Sequence, residues 1–329
     1  MAAMAELIDE PRTVMTLGRS PVRVSRLGVG AMTWGDPTGL SRLSPAKLAY
    51  GGAHGIDEER RALEASIAAG VTLFDTAAMY SGGAAERRLG ELARGHEVQV
   101  ATKFPPGMRS RADDLPAALE ASLTRLGRAT IDLYQHHYPT RRVDIPRLME
   151  LMADAVESGR VRAVGVSNYS ADQIRAAHAV LAGRGIPLAS VQQGYSLLDR
   201  RVEANGILEA CRELGITLIA YQPLASGALT GKYLGRQRPT GIRRFMPRFR
   251  GSAREAVVPV VDLLREIGER HDRTAAQVAL RWLIEQGDVI PIPGAKNGAQ
   301  AAANAGALAF SLTSDEVEQV SLATAAWRS

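Results

Sequence analysis

Eight short apolar runs, each followed by a stretch of helical periodicity and with no Pro-rich linker or low-complexity tract between them, predict an α/β protein folded as one (β/α)8 barrel. A chain of 329 residues could hold either one large barrel or two ordinary domains, and the lack of any composition break selects the barrel.

The elements follow in order. Residues 1–13 are expected to be a flexible N-terminus and 14–329 to form the barrel domain. "VMTLGRSPVRVS", residues 14–25, predicts two short strands around a Gly-Arg-Ser-Pro turn, a β-hairpin placed to cap the N-terminal mouth. The eight strands are expected in "RLGVGAM", "VTLFD", "VQVATKF", "IDLYQHH", "VRAVGVS", "ASVQQ", "ITLIAY" and "DVIPIPG". Matching helices are expected in "DEERRALEASIAAG", "GAAERRLGELARG", "LPAALEASLTRLG", "IPRLMELMADAVESG", "SADQIRAAHAVLAG", "VEANGILEACRELG", "VVPVVDLLREIGERH" and the segment after Gln300. Several end at Gly, and Ser170 with Gln173 three residues on forms a capping box. "LTSDEVEQVSLATA" opens with another box and predicts an extra C-terminal helix.

Composition excludes several classes. The N-terminus carries acidic residues early and lacks an apolar h-region, and no stretch reaches bilayer length, so a soluble, cytoplasmic protein is expected. Cys211 is the only cysteine, which rules out an internal disulfide and a thiolate metal cage. Arg236, Arg238, Arg243, Arg244, Arg248, Arg250 and Arg254 crowd one segment despite a net charge of only +5. A solvated loop, nucleic acid and a bound phosphate all fit such a run; nucleic acid fits least, because stacking aromatics are not interleaved.

Barrel enzymes place their chemistry where strands end, so the polar residue closing each strand is informative. Asp75 closes the second strand, Lys103 the third, His137 the fourth, Ser167 and Asn168 the fifth, Gln192 the sixth and Tyr221 the seventh, with Tyr80 in the loop after Asp75. A carboxylate, a lysine and an imidazole on successive strands suit a proton relay. A tyrosine ionises near pH ~10 and donates poorly at neutral pH without a nearby cation. Lys103 could supply that charge, Asp75 would hold Lys103, and His137 would bond the carbonyl oxygen that takes the proton.

The segments "FDTAAMYSGGAAERRLG", "VATKF", "DLYQHH", "VRAVGVSNYS", "VQQGYSLLDR", "AYQPLASGALTGKY" and "IPIPGAKN" resemble the signatures of the aldo-keto reductases over nearly the whole chain. That resemblance implies a barrel that reduces aldehydes and ketones with NADPH by direct hydride transfer, NADH not being excluded. It assigns the catalytic tetrad to Asp75, Tyr80, Lys103 and His137, with spacing from "DLY" selecting His137 over His136. It also implies that Ser167, Asn168 and Gln192 hold the nicotinamide carboxamide and that Tyr221 stacks on its ring. Leu224, Gly227, Leu229 and Lys232 fall in the loop over the pyrophosphate, and Lys296, Asn297, Gln300 and Asn304 at the adenosine and 2'-phosphate. The Arg-rich segment follows that loop directly, so attraction of a polyanionic cofactor is its simplest functional reading.

Other motifs fail. "GVGAMT" has Thr33 where a dinucleotide fingerprint needs glycine, and "GVSNY" has Tyr169 where a nucleophile elbow needs glycine. The chain departs from the family at Ala78, where an acid is common, at Gln193 and Gly194, where Asn-Glu is common, and at Ala303, where a glutamate is common. The long first loop, "TWGDPTGLSRLSPAKLAYGGAHG", is expected to bring Trp34, Tyr50 and His54 over the substrate. "TGIRRFMPRF" resembles the pyridoxal reductase-like branch, which adds pyridoxal to sugars, ketosteroid-like ketones, mycotoxin carbonyls and aromatic aldehydes as candidates. The rival reading is a cofactor-sensing binding module, like the potassium-channel β subunits that share this barrel. Neither a metal, a nucleic acid, a membrane nor an obligate protein partner is expected.

Overall fold

The computed structural model describes residues 13–36, 54–105, 111–235, 237–239 and 241–329. Two strands, β1 (Val14–Thr16) and β2 (Arg23–Ser25), pair antiparallel as a hairpin. Eight parallel strands follow: β3 (Gly28–Gly30), β4 (Leu73–Asp75), β5 (Gln99–Phe104), β6 (Leu133–His136), β7 (Val164–Ser167), β8 (Leu188–Gly194), β9 (Thr217–Tyr221) and β10 (Val289–Pro291). Each pairs with its sequence neighbour, and the ring closes where Gly30 bridges Gly294 and its N–H donates to the Pro293 carbonyl at 3.1 Å. Every predicted strand is present.

The outer helices are α1 (Ile56–Ala68), α2 (Ala84–Leu92), α3 (Leu115–Leu126), α4 (Ile145–Glu157), α5 (Ala171–Gly183), α6 (Ile207–Leu214), α7 (Gly251–His271), α8 (Ala275–Ile284), α9 (Gly298–Ala305) and α10 (Ser314–Ala323). Their starts follow from local chemistry: Asp144 accepts from the Arg147 N–H at 2.8 Å, and Ser170 with Gln173 and Thr313 with Glu316 close full capping boxes. Two expectations shift. Left-handed Gly206 delays α6, so residues 201–203 form only a 3-10 turn. Helix α8 was not foreseen, although Thr274 and Gln277 form a capping box that marks its start.

Period-two alternation divides each strand between two cores. Outward residues such as Phe74, Val100, Tyr134, Val166, Val191 and Leu218 pack under the helices. Inward residues near the strand starts, Leu73, Ala101, Leu133, Ala163, Ile219 and Ile290, form a separate cluster with Leu17, Val22 and Val24 of the hairpin. The hairpin therefore plugs the N-terminal mouth. Gly18 makes this close approach feasible: its φ is +54°, its N–H donates to Thr217 Oγ1 at 2.8 Å, and a Cβ there would lie 2.5 Å from the Ala189 carbonyl oxygen. No described helix is long and apolar enough to cross a membrane.

Candidate active site

At the opposite mouth the inward positions turn polar. Asp75 ends β4, and Lys103 lies near the end of β5 beside Gln135 of β6 in the strand register. The Lys103 ammonium donates to Asp75 Oδ1 at 2.5 Å and to the Thr76 carbonyl at 2.8 Å, with neither side chain reached appreciably by solvent. The second carboxylate oxygen accepts from Gln135 Nε2 at 3.1 Å and Gln192 Nε2 at 3.0 Å. Three donors hold a buried anion that water cannot reach.

Tyr80 begins a 3-10 turn whose next three residues, Ser81, Gly82 and Gly83, are all left-handed, a bend that returns the half-buried phenol toward the mouth. Its ring lies 5.2 Å from the Lys103 nitrogen and meets the His137 ring edge-on at 5.7 Å, 83° between planes. Burial, then the Asp75 carboxylate and Tyr138, push the Tyr80 phenol well above its ordinary value. The hydroxyl is therefore protonated at neutral pH. Burial outweighs the cation that the sequence argument invoked, whose ammonium is committed to Asp75 and Thr76.

His137 is neutral: burial first, then Lys103 and His136, push it down to about 2. Tyr138 stacks on its imidazole at 4.7 Å, 15° between planes. His136 points outward, where its Nδ1 lies 2.7 Å from the Tyr169 hydroxyl and its ring 5.7 Å from that of Phe104. Burial lowers it to about 4. The two histidines thus face opposite sides of the strand, as alternation demands.

The positions assigned to the cofactor lie along the same rim. Ser167 closes β7, and Asn168, left-handed at φ +61°, donates through Nδ2 to the His137 carbonyl at 3.0 Å and to Ser167 Oγ at 2.9 Å. The Tyr221 hydroxyl donates to Asn168 Oδ1 at 2.9 Å; burial foremost raises this phenol to about 12. Leu224 precedes a turn, Ala225–Thr230, in which Ala225, Ser226 and Gly227 are left-handed and Leu229 is buried. Exposed Lys232 lies over the Tyr233 ring at 4.8 Å. Asn297 caps α9 by accepting from the Gln300 N–H at 2.9 Å, Gln300 Oε1 accepts from the Lys296 N–H at 3.1 Å, and Asn304 donates to the Gly294 carbonyl at 3.3 Å. These polar groups are occupied in shaping the loop itself.

One of the three substrate expectations needs correction. Trp34 is fully buried: its indole N–H donates to the Ala295 carbonyl at 2.8 Å and its ring packs 6.2 Å from Phe74, so it is a core residue that does not overhang the mouth. His54 is half-buried just before α1, and Tyr50 lies outside the described residues. Among the described residues, the exposed apolar groups beside the relay are Met79 and Tyr138, at 50% and 42% exposure. The sequence argument missed Tyr138 and also Gln135, although Gln135 lies two residues before His137 and so on the same inward face.

The Arg-rich segment folds as 3-10 turns, Gly241–Phe245 and Pro247–Phe249. Arg243 lies 5.5 Å from the Tyr233 ring, and Arg254 donates to the Tyr233 carbonyl at 3.3 Å and to that of Leu234. This ties the segment to the residues beside Lys232. Arg236 lies outside the described residues.

An inward ring of ionisable groups at the C-terminal mouth of a (β/α)8 barrel defines the enzyme class of such barrels. The sequence model of the Aldo/keto reductase family matches residues 26–324, and the chain belongs to that family. It is 36% identical over 309 residues to aldo-keto reductase str7 of Strobilurus tenacellus, covering 90% of this chain and 88% of that protein. It is 36% identical over 322 residues to the chloroplastic pyridoxal reductase of Arabidopsis thaliana, covering 92% and 84%. Among solved structures, a glycerol dehydrogenase from Gluconobacter oxydans superposes with a TM-score of 0.79 at 26% identity over 94% of this chain and 95% of that one. A thermostable aldo-keto reductase in complex with epalrestat superposes at 0.72 and 28% identity over 94% and 99%. Family members are oxidoreductases that act on small-molecule carbonyl compounds and generally use nicotinamide cofactors.

Proposed function

We propose that this protein reduces an aldehyde or ketone to the alcohol with NADPH, Tyr80 acting as general acid. The observation that carries the proposal is the convergence of a protonated phenol, a neutral imidazole and a buried Lys-Asp pair at one mouth. When bound, the dinucleotide supplies the hydride. The residues present fit such a group: exposed Lys232 stands at the end of the left-handed turn Ala225–Thr230, where an ammonium suits a pyrophosphate. Lys296 stands at the start of α9, where a cation and a helix N-terminus both favour a phosphate, which favours NADPH over NADH. Ser167, Asn168, Gln192 and Tyr221 would hold the nicotinamide end.

The chain's own work is proton transfer. Tyr80 passes its hydroxyl proton to the carbonyl oxygen as negative charge builds there. His137, uncharged, donates a hydrogen bond to that oxygen without competing as the acid. Lys103 then lies beside the new phenolate, and Asp75 keeps the ammonium in place. In alcohol oxidation the roles reverse.

Met79 and Tyr138 give the entrance an apolar, flat-sided rim suited to an aromatic carbonyl. The likeness to a pyridoxal reductase adds pyridoxal to the panel. The reading places the enzyme in the cytoplasm, with Cys211 a free buried thiol. The test is the decay of NADPH absorbance with pyridoxal, aromatic aldehydes and bulky ketones, for wild type and Tyr80→Phe. Turnover that disappears in the variant supports the reductase; turnover that survives it removes Tyr80 as the acid.

A further inference from the structure

Gln135 is fully buried on the inward face of β6, one residue outside the four groups that the proposed reaction uses. It makes two separate contacts. Its Nε2 donates to Asp75 Oδ2 at 3.1 Å, and its Oε1 accepts from Gln192 Nε2 at 3.4 Å. Gln192 Nε2 itself donates to Asp75 Oδ2 at 3.0 Å, so the two amides and the carboxylate form a closed triangle.

We propose that Gln135 is a positioning residue of the proton relay, which fixes the free oxygen of Asp75 so that the other stays on Lys103, and reinforces the orientation in which the Gln192 amide donates to the same oxygen. The inference rests on the reductase reading above. A carboxylate with only 3% exposure cannot replace a lost donor with bulk water, so losing one donor lets the group turn about its Cβ–Cγ bond. Any such turn moves the ammonium that lies 5.2 Å from the Tyr80 ring. Gln135 Oε1 also reinforces the Gln192 amide orientation that Asp75 sets, because both acceptors take only the nitrogen.

The neighbouring backbone is shaped for this side chain. Lys103, Gln135, Gly165 and Ser190 stand in one register row across β5 to β8. A Cβ on Gly165 would lie 2.2 Å from Ser190 Oγ and 3.2 Å from Gln135 Cγ. Glycine at that inward position therefore leaves the space in which Gln135 lies under the carboxylate.

The test uses the full chain with NADPH and the best carbonyl substrate of the panel, comparing wild type, Tyr80→Phe, Gln135→Met and Gln135→Glu. Methionine matches the length of glutamine without a donor. It should lower kcat by about 10- to 100-fold, the worth of a hydrogen bond to a buried charge, while the substrate KM and the NADPH Kd, read by fluorescence, stay within about threefold. Glutamate can donate to Asp75 only when protonated. The kcat of Gln135→Glu relative to wild type should therefore climb as pH falls from about 8 to about 5.5, while the Gln135→Met ratio stays flat. A residue that merely fills space gives no such pH signature. If Gln135→Met folds poorly, the Gln135→Glu ratio, measured within one folded variant, still decides. A Gln135→Met kcat within about twofold of wild type, or a flat Gln135→Glu ratio, overturns the proposal while Tyr80→Phe still abolishes turnover. A wild type without carbonyl turnover, or an active Tyr80→Phe, overturns the reductase reading and this inference with it.

Discussion

The two mouths of the barrel are made by the same strands and have opposite characters. At the N-terminal mouth the inward residues are Leu73, Ala101, Leu133, Ala163 and Ile219, and an apolar hairpin seals them with Leu17, Val22 and Val24. Two residues further along three of those strands the inward positions are Asp75, Lys103 and Gln135. The difference teaches where the fold's stability is gathered and where it is given up: one end removes apolar surface from water, while the other desolvates charges and imidazoles that would be better hydrated. Substitutions should therefore separate into those that change stability and those that change rate, except where one leaves a buried charge unpaired.

The largest expected effect lies at the polar end. Tyr80→Phe should lower kcat by about 10²- to 10⁴-fold, the range for a lost general acid, with thermal midpoint and NADPH affinity unchanged. An equal fall in NADPH affinity would break the separation. Lys103→Met should abolish turnover and also destabilise by about 3–5 kcal/mol in denaturant titration, because Asp75 is left as a buried carboxylate without its counter-ion. Adding Asp75→Leu should restore most of that stability and none of the activity. At the apolar end, Leu17→Ala should cost about 2–5 kcal/mol. The kcat/KM of the folded fraction should remain within about twofold of wild type; a larger loss would mean that the plug and the relay are coupled.

Acid should act on the polar end through His136 and His137. His136 and His137 are held at about 4 and about 2, below the value near ~6.5 of an unfolded chain. A depressed folded value means that the unfolded state binds protons the native state refuses, so the stability contribution is full above pH ~6.5 and lost as pH falls toward those values. Each withheld proton steepens the loss by up to about 1.4 kcal/mol per pH unit. Denaturant titrations at pH 7 and pH 5 should show the fall, and His136→Gln should make it shallower. An unchanged slope would mean that His136 takes up its proton within the native fold.

The sequence makes much of this legible because the barrel repeats one local rule. Alternating strands, Gly-ended helices and strand-end polar residues are all nearest-neighbour patterns, so the strand positions and the gathering of Asp75, Lys103 and His137 could be read from the chain. What escaped was long-range. The triangle of Asp75, Gln135 and Gln192 joins residues separated by 60 and 117 positions, and only closure of the barrel brings them together. Tyr80's protonation depends on burial, which no spacing records. Helix α8 was missed for a simpler reason: it shares one βα connection with α7, and a rule of one helix per strand leaves no place for it.

Trp34 supplies the smallest and most discriminating prediction, because an aromatic in the first βα loop can be read as part of either region. Loop aromatics beside a mouth usually serve ligands, and its position in sequence suggested as much. The structure seals it instead: the indole is fully buried, and its N–H satisfies the Ala295 carbonyl across the junction of the first and last barrel strands. Trp34→Phe keeps an aromatic against Phe74 but leaves that carbonyl without its donor, which should cost about 1–3 kcal/mol. Substrate KM should stay within about twofold across the aldehyde panel. A stable variant with altered KM would return Trp34 to the mouth, whereas a destabilised variant with unaltered KM places the boundary between core and site on the mouth side of its ring.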